Sequence, residues 1–156
     1  MPDDVIFQSS DLANKRTELL EAARNGQARV RDKDGTSLVM LPESRLRLLE
    51  NLAKWWQAYM KLEALLRRSE LPRAGELGDL AWLRVFDRDD FQEFVNELHD
   101  ALVAANADED SAVLDDCIRA WRVTARQLED PLRRSVLHGT FVPEHFVEAG
   151  KPDGAE

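Results

Sequence analysis

One stretch limits the possible folds more than any other. Leu46, Leu49, Leu52, Ala53, Trp56, Met60, Leu62, Leu65 and Leu66 recur at helical spacing behind Pro42 and Glu43 and ahead of Arg67-Arg68. That pattern predicts one amphipathic helix over 42–66, with proline at its first turn. At roughly 1.5 Å of rise per residue, such a helix is about 37 Å long. The elements before it are short, too short to cover it. Part of its apolar face is therefore expected to pack on a second subunit or on the C-terminal half of the same chain.

Those earlier elements follow from local patterning. Val5-Ile6-Phe7 is a short apolar run suited to an edge strand, and Ser9-Ser10-Asp11 is a helix start with a hydroxyl or carboxylate available as a cap. Leu12, Leu19, Leu20 and Ala23 then recur at helical spacing until Asn25-Gly26, which predicts a first helix of about four turns. From Gln27 the period changes to two. Ala28, Val30 and Asp32 alternate with Arg29, Arg31 and Lys33, setting three cations on one strand face. Asp34-Gly35 is a hairpin turn signal, and the returning strand is expected over 37–41.

Beyond 70 the pattern is helical throughout. Leu71-Pro72-Arg73-Ala74-Gly75 reads as a linker, with Gly78 extending the loose region. Leu80, Trp82, Leu83, Val85 and Phe86 make a short apolar segment, and Asp87 caps a helix whose apolar side carries Phe91, Phe94, Val95, Leu98, Leu102 and Val103. A polar break over 106–110 separates it from a helix carrying Val113, Leu114, Cys117, Ile118, Trp121, Ala125 and Leu128. Asp130-Pro131 opens a final short helix closed by Gly139, and 148–156 is expected to be a disordered tail.

Charge is divided unevenly. Residues 1–70 hold 12 Lys/Arg against 11 Asp/Glu, whereas residues 71–156 hold 9 against 19. The first half is thus free to approach a phosphate backbone, and the acidic half suits a basic partner. No apolar run reaches the length of a membrane helix, and the acidic start Met1-Pro2-Asp3-Asp4 is unlike a signal peptide. The lone Cys117 excludes an intramolecular disulfide and fits a reducing cytoplasm, so a cytoplasmic protein is expected.

Chemistry-bearing patterns are sparse. His99, His138 and His145 share no ligand spacing with one another or with Cys117, and phosphate-binding glycine loops and nucleophile elbows are absent. Asp87, Asp89 and Asp90 stand where acidic residues complement a helix dipole, and Asp115-Asp116 reads as solvated surface. A protein with no metal, cofactor or catalytic residues is expected, and not an enzyme. The candidates that remain are contact residues. Lys15, Arg16, Arg29, Arg31 and Lys33 are candidates for phosphate contacts. Trp55, Trp56, Trp82, Phe91, Phe94 and Trp121 are candidate anchors for a protein partner. Adjacent Trp55 and Trp56 cannot face one way on a helix, so at least one is expected to meet a second subunit.

Three segments carry a family resemblance: Phe7-Gln8-Ser9-Ser10-Asp11-Leu12, Leu19-Leu20-Glu21-Ala22-Ala23, and the run from Arg29 through Asp34-Gly35 to Pro42-Glu43. In order and spacing they resemble the Phd/YefM antitoxins over about residues 4–66. The resemblance implies an α+β fold. Its N-terminal β-α-β-β-α half, 1–70, would pair as a homodimer and bind operator DNA, with Ser10, Lys15 and Arg16 facing the DNA. It also implies a following region that neutralises a cognate toxin. Two positions depart from the family: Ala13 stands where an arginine is frequent, and Asp32 where an arginine precedes the turn, which shifts phosphate contacts to neighbouring cations. The all-helical region 71–147 resembles longer actinobacterial-type antitoxin-like proteins through Ala120-Trp121-Arg122-Val123-Thr124-Ala125, and would bind the toxin or brace the dimer. Together these imply an antitoxin of a type II toxin–antitoxin pair, its toxin basic and ribonuclease-like or kinase-like. The alternative is an interaction module of the same fold that no longer binds DNA.

Overall fold

Alternation governs the first strand pair. In the computed structural model, which describes residues 6–130 and the turn residue Gly139, β1 (Ile6–Gln8) runs parallel to β2 (Ala28–Arg31), and β2 pairs antiparallel with β3 (Ser37–Met40). The strand order is β1-β2-β3. Phe7 lies beside Val30 in the register, and Phe7, Ala28 and Val30 are buried against Leu19 and Ala23, while Arg29 and Arg31 point to solvent. At the hairpin, Gly35 takes φ +88°, a conformation that glycine adopts without Cβ strain. The Asp34 carboxylate accepts the Thr36 N–H at 2.8 Å and helps fix the turn.

The expected four-turn first helix is two helices. α1 (Asp11–Asn14) stops at Lys15, whose φ −124° and ψ 34° leave the helical region, and α2 (Arg16–Arg24) restarts beyond it. Ser10 makes no capping bond through its side chain. The Asp11 carboxylate instead reaches back to the Gln8 N–H at 2.9 Å. Lys33, expected on the strand face, lies past the end of β2 in the turn, because the strand closes at Arg31 and Asp32 begins the reversal.

α3 (Glu43–Leu66) is the long helix that the apolar stripe predicts, with Pro42 immediately before it. The linker after it has no regular structure over 71–73, as expected, but turns helical from Ala74 onward. α4 (Ala74–Leu77) runs into a 3-10 helix, Gly78–Val85, which buries Leu80 and Leu83, and Leu77 and Phe86 bury on either side. These four apolar residues explain the correction, since each gains more from the core than a loop offers. α5 (Arg88–Asp108) starts on the Asp87 carboxylate, which accepts the Asp90 N–H at 2.9 Å, and ends where Glu109 turns left-handed at φ 52°. α6 (Ala112–Glu129) completes the described chain. Val5, the final helix expected after Asp130 (Gly139 apart) and the tail over 148–156 lie outside the described residues.

The chain is thus a mixed α+β protein, mostly helical, with one small sheet. Its packing divides ahead of α3, not after it. Leu48, Leu52, Trp55, Leu62 and Leu66 of α3 share one core with α4, the 3-10 helix, α5 and α6. A second core holds only Phe7, Leu19, Ala23, Ala28 and Val30. Of the two covers considered for the long helix, the chain's own C-terminal half takes this stripe. Among the described residues, no helix is long and apolar enough to cross a membrane.

Candidate interaction surfaces

Side-chain direction sorts the expected DNA-contact residues into two neighbouring groups. Ser10, Lys15 and Arg16 are exposed around the break between α1 and α2, and Arg29 and Arg31 project from the sheet face opposite α2. The Ser9 N–H donates to the Arg31 carbonyl at 3.0 Å, tying the start of α1 to the end of β2. That bond sets the start of α1 beside Arg31, with Lys33 in the adjoining turn, while Arg29 stands further back along β2, beside Ile6. Lys15 Nζ lies 3.6 Å from the Asp11 carboxylate.

The expected partner anchors behave differently. Trp55, Phe91 and Phe94 are buried in the helical core, so their expected role at a partner surface is corrected: their rings pack inside this chain. Trp82, Trp121, Phe86 and Phe94 meet edge-to-face, with centroids 5.2–6.4 Å apart. Trp121 is half-buried and its Nε1–H donates to Glu97 at 2.6 Å. Trp82 is half-buried beneath the Arg122 guanidinium, 5.6 Å from its ring centroid. Trp56 is half-buried against the helical core, edge-on to Tyr59 and to His99 of α5. Cys117 is packed on α6, where burial pushes its thiol up to about 11 and the charge of Glu97 adds to the shift. A thiol so raised is a poor nucleophile at neutral pH.

Apolar surface left open is the feature that sequence reasoning missed. Leu38 and Met40 stand opposite Val30 and Ala28 in the β3 register, on the face that α2 covers elsewhere. Yet both are exposed, Leu38 to 52%. On α3, Leu46, Leu49, Ala53, Trp56 and Met60 are spaced alternately three and four apart, the spacing of a helix-pairing seam. Leu46, Leu49 and Ala53 are exposed, and Met60 is 67% exposed. This seam lies beside the buried stripe, and the sequence pattern merges the two into one broad face. The alternate spacing was the signal that separates them.

Between the small sheet unit and the helical body runs a cleft of about 670 Å³, lined by the end of α2 and the starts of α3 and α6. Its charges are matched: Arg45 pairs with Glu109 at 3.2 Å and Arg47 with Glu43 at 2.5 Å. Among the described residues, no three His, Cys, Asp or Glu side chains converge on a point that suits a metal ion.

The fold and its surfaces define an α+β protein with two unequal cores, exposed cations on and beside its sheet, and exposed apolar seams. Compared with known proteins, the chain matches no family model, no curated protein and no solved structure.

Proposed function

We propose that the chain is the antitoxin of a type II toxin–antitoxin pair, acting in the cytoplasm as a homodimer that neutralises a cognate toxin by direct binding and represses its own operon. The observation that carries this reading is the unfinished N-terminal unit. Its core holds five residues, while Leu38 and Met40 and the α3 seam of Leu46, Leu49 and Met60 stay exposed beside it. A second copy is the simplest cover for such surface, since a two-fold axis sets each patch against its twin. Pairing also doubles the cations Lys15, Arg16, Arg29, Arg31 and Lys33 near DNA phosphates, where affinity grows with the number of phosphates neutralised. The Phd/YefM-like order of segments expected from the sequence, strand, helix, hairpin and long helix, is the second support for the reading.

Toxin binding falls to the acidic helical half, whose 19 Asp/Glu outnumber 9 Lys/Arg over 71–156. With Trp55, Phe91 and Phe94 internal, the half-buried rims of Trp56, Trp82 and Trp121 are the aromatic surface offered to a basic toxin, ribonuclease-like or kinase-like. Sedimentation and gel-shift on the upstream DNA of its own operon test the reading together. A dimer is expected, with salt-sensitive DNA binding. Leu49→Glu with Met60→Glu should yield monomers and weaken DNA binding. A wild-type monomer at high concentration, or no DNA complex at low salt, overturns it.

A second reading is an interaction module of the same fold that captures its partner and ignores DNA. The Lys15–Asp11 ion pair favours it, as do Ala13 and Asp32 at positions where the family carries arginine. Toxin capture without a DNA complex selects this reading.

A further inference from the structure

Two sets of arginines in the last helices of the body differ in how they are held. Arg84 and Arg88 are held by this chain: Arg84 donates to the Ala81 carbonyl at 2.8 Å and to Glu129 at 2.5 Å, and Arg88 donates to the carbonyls of Leu66, Arg68 and Ser69. Arg119, Arg122 and Arg126 are different. At i, i+3 and i+7 of α6 they share one helix face, within about 11 Å along the axis. Among the described residues, Arg119 pairs with the exposed Asp116 of its own helix, and Arg122 rests on the Trp82 ring. Arg126 has no ion pair among the described residues.

These three border a groove of about 320 Å³ whose other lining residues are Trp55, Ile118, Val123 and Asp115. Lys54 adds a fourth cation, 5.7 Å from the centroid of the Trp55 ring. The one acidic lining group is engaged elsewhere, since the Asp115 carboxylate accepts from Asn51 at 3.2 Å and from the Ser111 hydroxyl at 2.9 Å. A cationic strip with an apolar floor thus stands in the half of the chain that is otherwise strongly acidic.

We propose that this groove docks a short acidic peptide segment of another protein. Its carboxylates would meet Arg119, Arg122 and Arg126, and one apolar side chain would rest on Ile118 and Val123. Guanidinium groups match carboxylates in planar, paired hydrogen bonds, and anions there relieve the mutual repulsion of like charges on successive turns. An amphipathic segment laid along a helix groove presents its side chains at the same spacing. A long polyanion fits less well, because it must run past the 19 Asp/Glu of the same half. This partner has the opposite charge to the toxin proposed above, and the inference does not depend on that reading.

Fluorescence anisotropy on the full chain tests it. The probe is a labelled helix-forming peptide with glutamates on successive turns and one leucine, beside its counterpart with lysine in place of each glutamate. The acidic peptide is expected to bind with salt-dependent affinity, and Arg122→Glu with Arg126→Glu should weaken it by about tenfold or more. Arg67→Glu, an exposed change near the end of α3, should leave it unchanged. Arg126→Glu alone touches no packed ring and should give a smaller loss in a protein that melts as the wild type does. Equal binding of the lysine peptide overturns the proposal, as does acidic binding that survives the double change. Tighter binding of a single-stranded oligonucleotide of equal charge also overturns it. Dissociation of a chain oligomer by these changes would assign the groove to a second copy and overturn it too.

Discussion

The sheet unit over 6–40 and the helical body over 43–129 bury apolar surface to very different extents. The first sequesters five hydrophobic residues, two of them alanine, whereas the second sequesters twenty, with Phe91, Phe94 and Leu102 almost wholly inaccessible. Domains below about 40 residues seldom bury enough surface to outweigh chain entropy unaided. The helical body therefore carries most of the stability of the chain. The sheet unit has little buried surface of its own, and Leu38, Val39 and Met40 of β3 stay exposed. A region that is complete only with a partner is well placed to couple folding to assembly, and a region complete alone is suited to hold a surface in shape.

The largest test of this contrast is a pair of truncations. Phe94 meets Trp82 at 5.3 Å and Trp121 at 5.5 Å between ring centroids, so Phe94→Ala opens a cavity under two indoles. A loss of about 3–5 kcal/mol is expected in urea unfolding followed by tryptophan fluorescence. All four tryptophans lie in the helical body, so Phe7→Ala should leave that transition nearly in place while removing the sheet signals from an NMR spectrum. If both variants shift one common transition equally, the chain is a single cooperative unit and the contrast fails.

A middle-sized effect is expected at Arg88. Its guanidinium donates to the carbonyls of Leu66 at 2.7 Å, Arg68 at 2.8 Å and Ser69 at 3.4 Å, which are unsatisfied groups at the end of α3. Arg88→Ala should cost about 1–3 kcal/mol by the same measurement, as for hydrogen bonds from a charged donor. The exposed Arg16 of the sheet unit makes a control, with a change within about 0.5 kcal/mol on substitution. Equal losses at the two positions would show that the Arg88 bonds add nothing in solution.

How far the sequence discloses all this differs by residue. The α3 helix, the Asp34-Gly35 hairpin and the Asp87 cap are legible because each is a local pattern with one physical outcome, though which side chains of α3 are buried is not. The break at Lys15 is not, since nothing in Asn14-Lys15-Arg16 is a helix breaker and the backbone departs there without proline or glycine. The folded corner over 74–85 is hidden for another reason. Pro72, Gly75 and Gly78 signal a loop, while the burial of Leu77, Leu80 and Leu83 depends on helices distant in sequence. The contact residues divide in the same way. Composition and spacing find the cations on β2, but whether an aromatic ring faces a partner or its own core is decided by tertiary packing. That is why Phe91 and Phe94 move from surface to interior.

The smallest expected effect concerns acid and the hairpin. No polar or charged residue is buried among the described residues, so pH acts on this protein through exposed hydrogen bonds. At the turn, the Thr36 N–H, bonded to the Asp34 carboxylate at 2.8 Å, holds that carboxyl below its ordinary value of 3.8, with the Thr36 side chain adding to the effect. A depressed carboxyl stabilises the fold above its unfolded value, and the contribution fades as pH falls through the lower folded value. The Thr36 amide resonance should therefore titrate with a midpoint below 3.8, while the Leu98 and Leu102 amides of α5 stay still over the same range. Asp34→Asn should abolish the titration but keep the turn, because the amide oxygen still accepts from Thr36. A midpoint at or above 3.8 would mean that the bond does not persist in solution. The β2–β3 hairpin would then be looser than its register implies, and the gap in stability between the two regions wider.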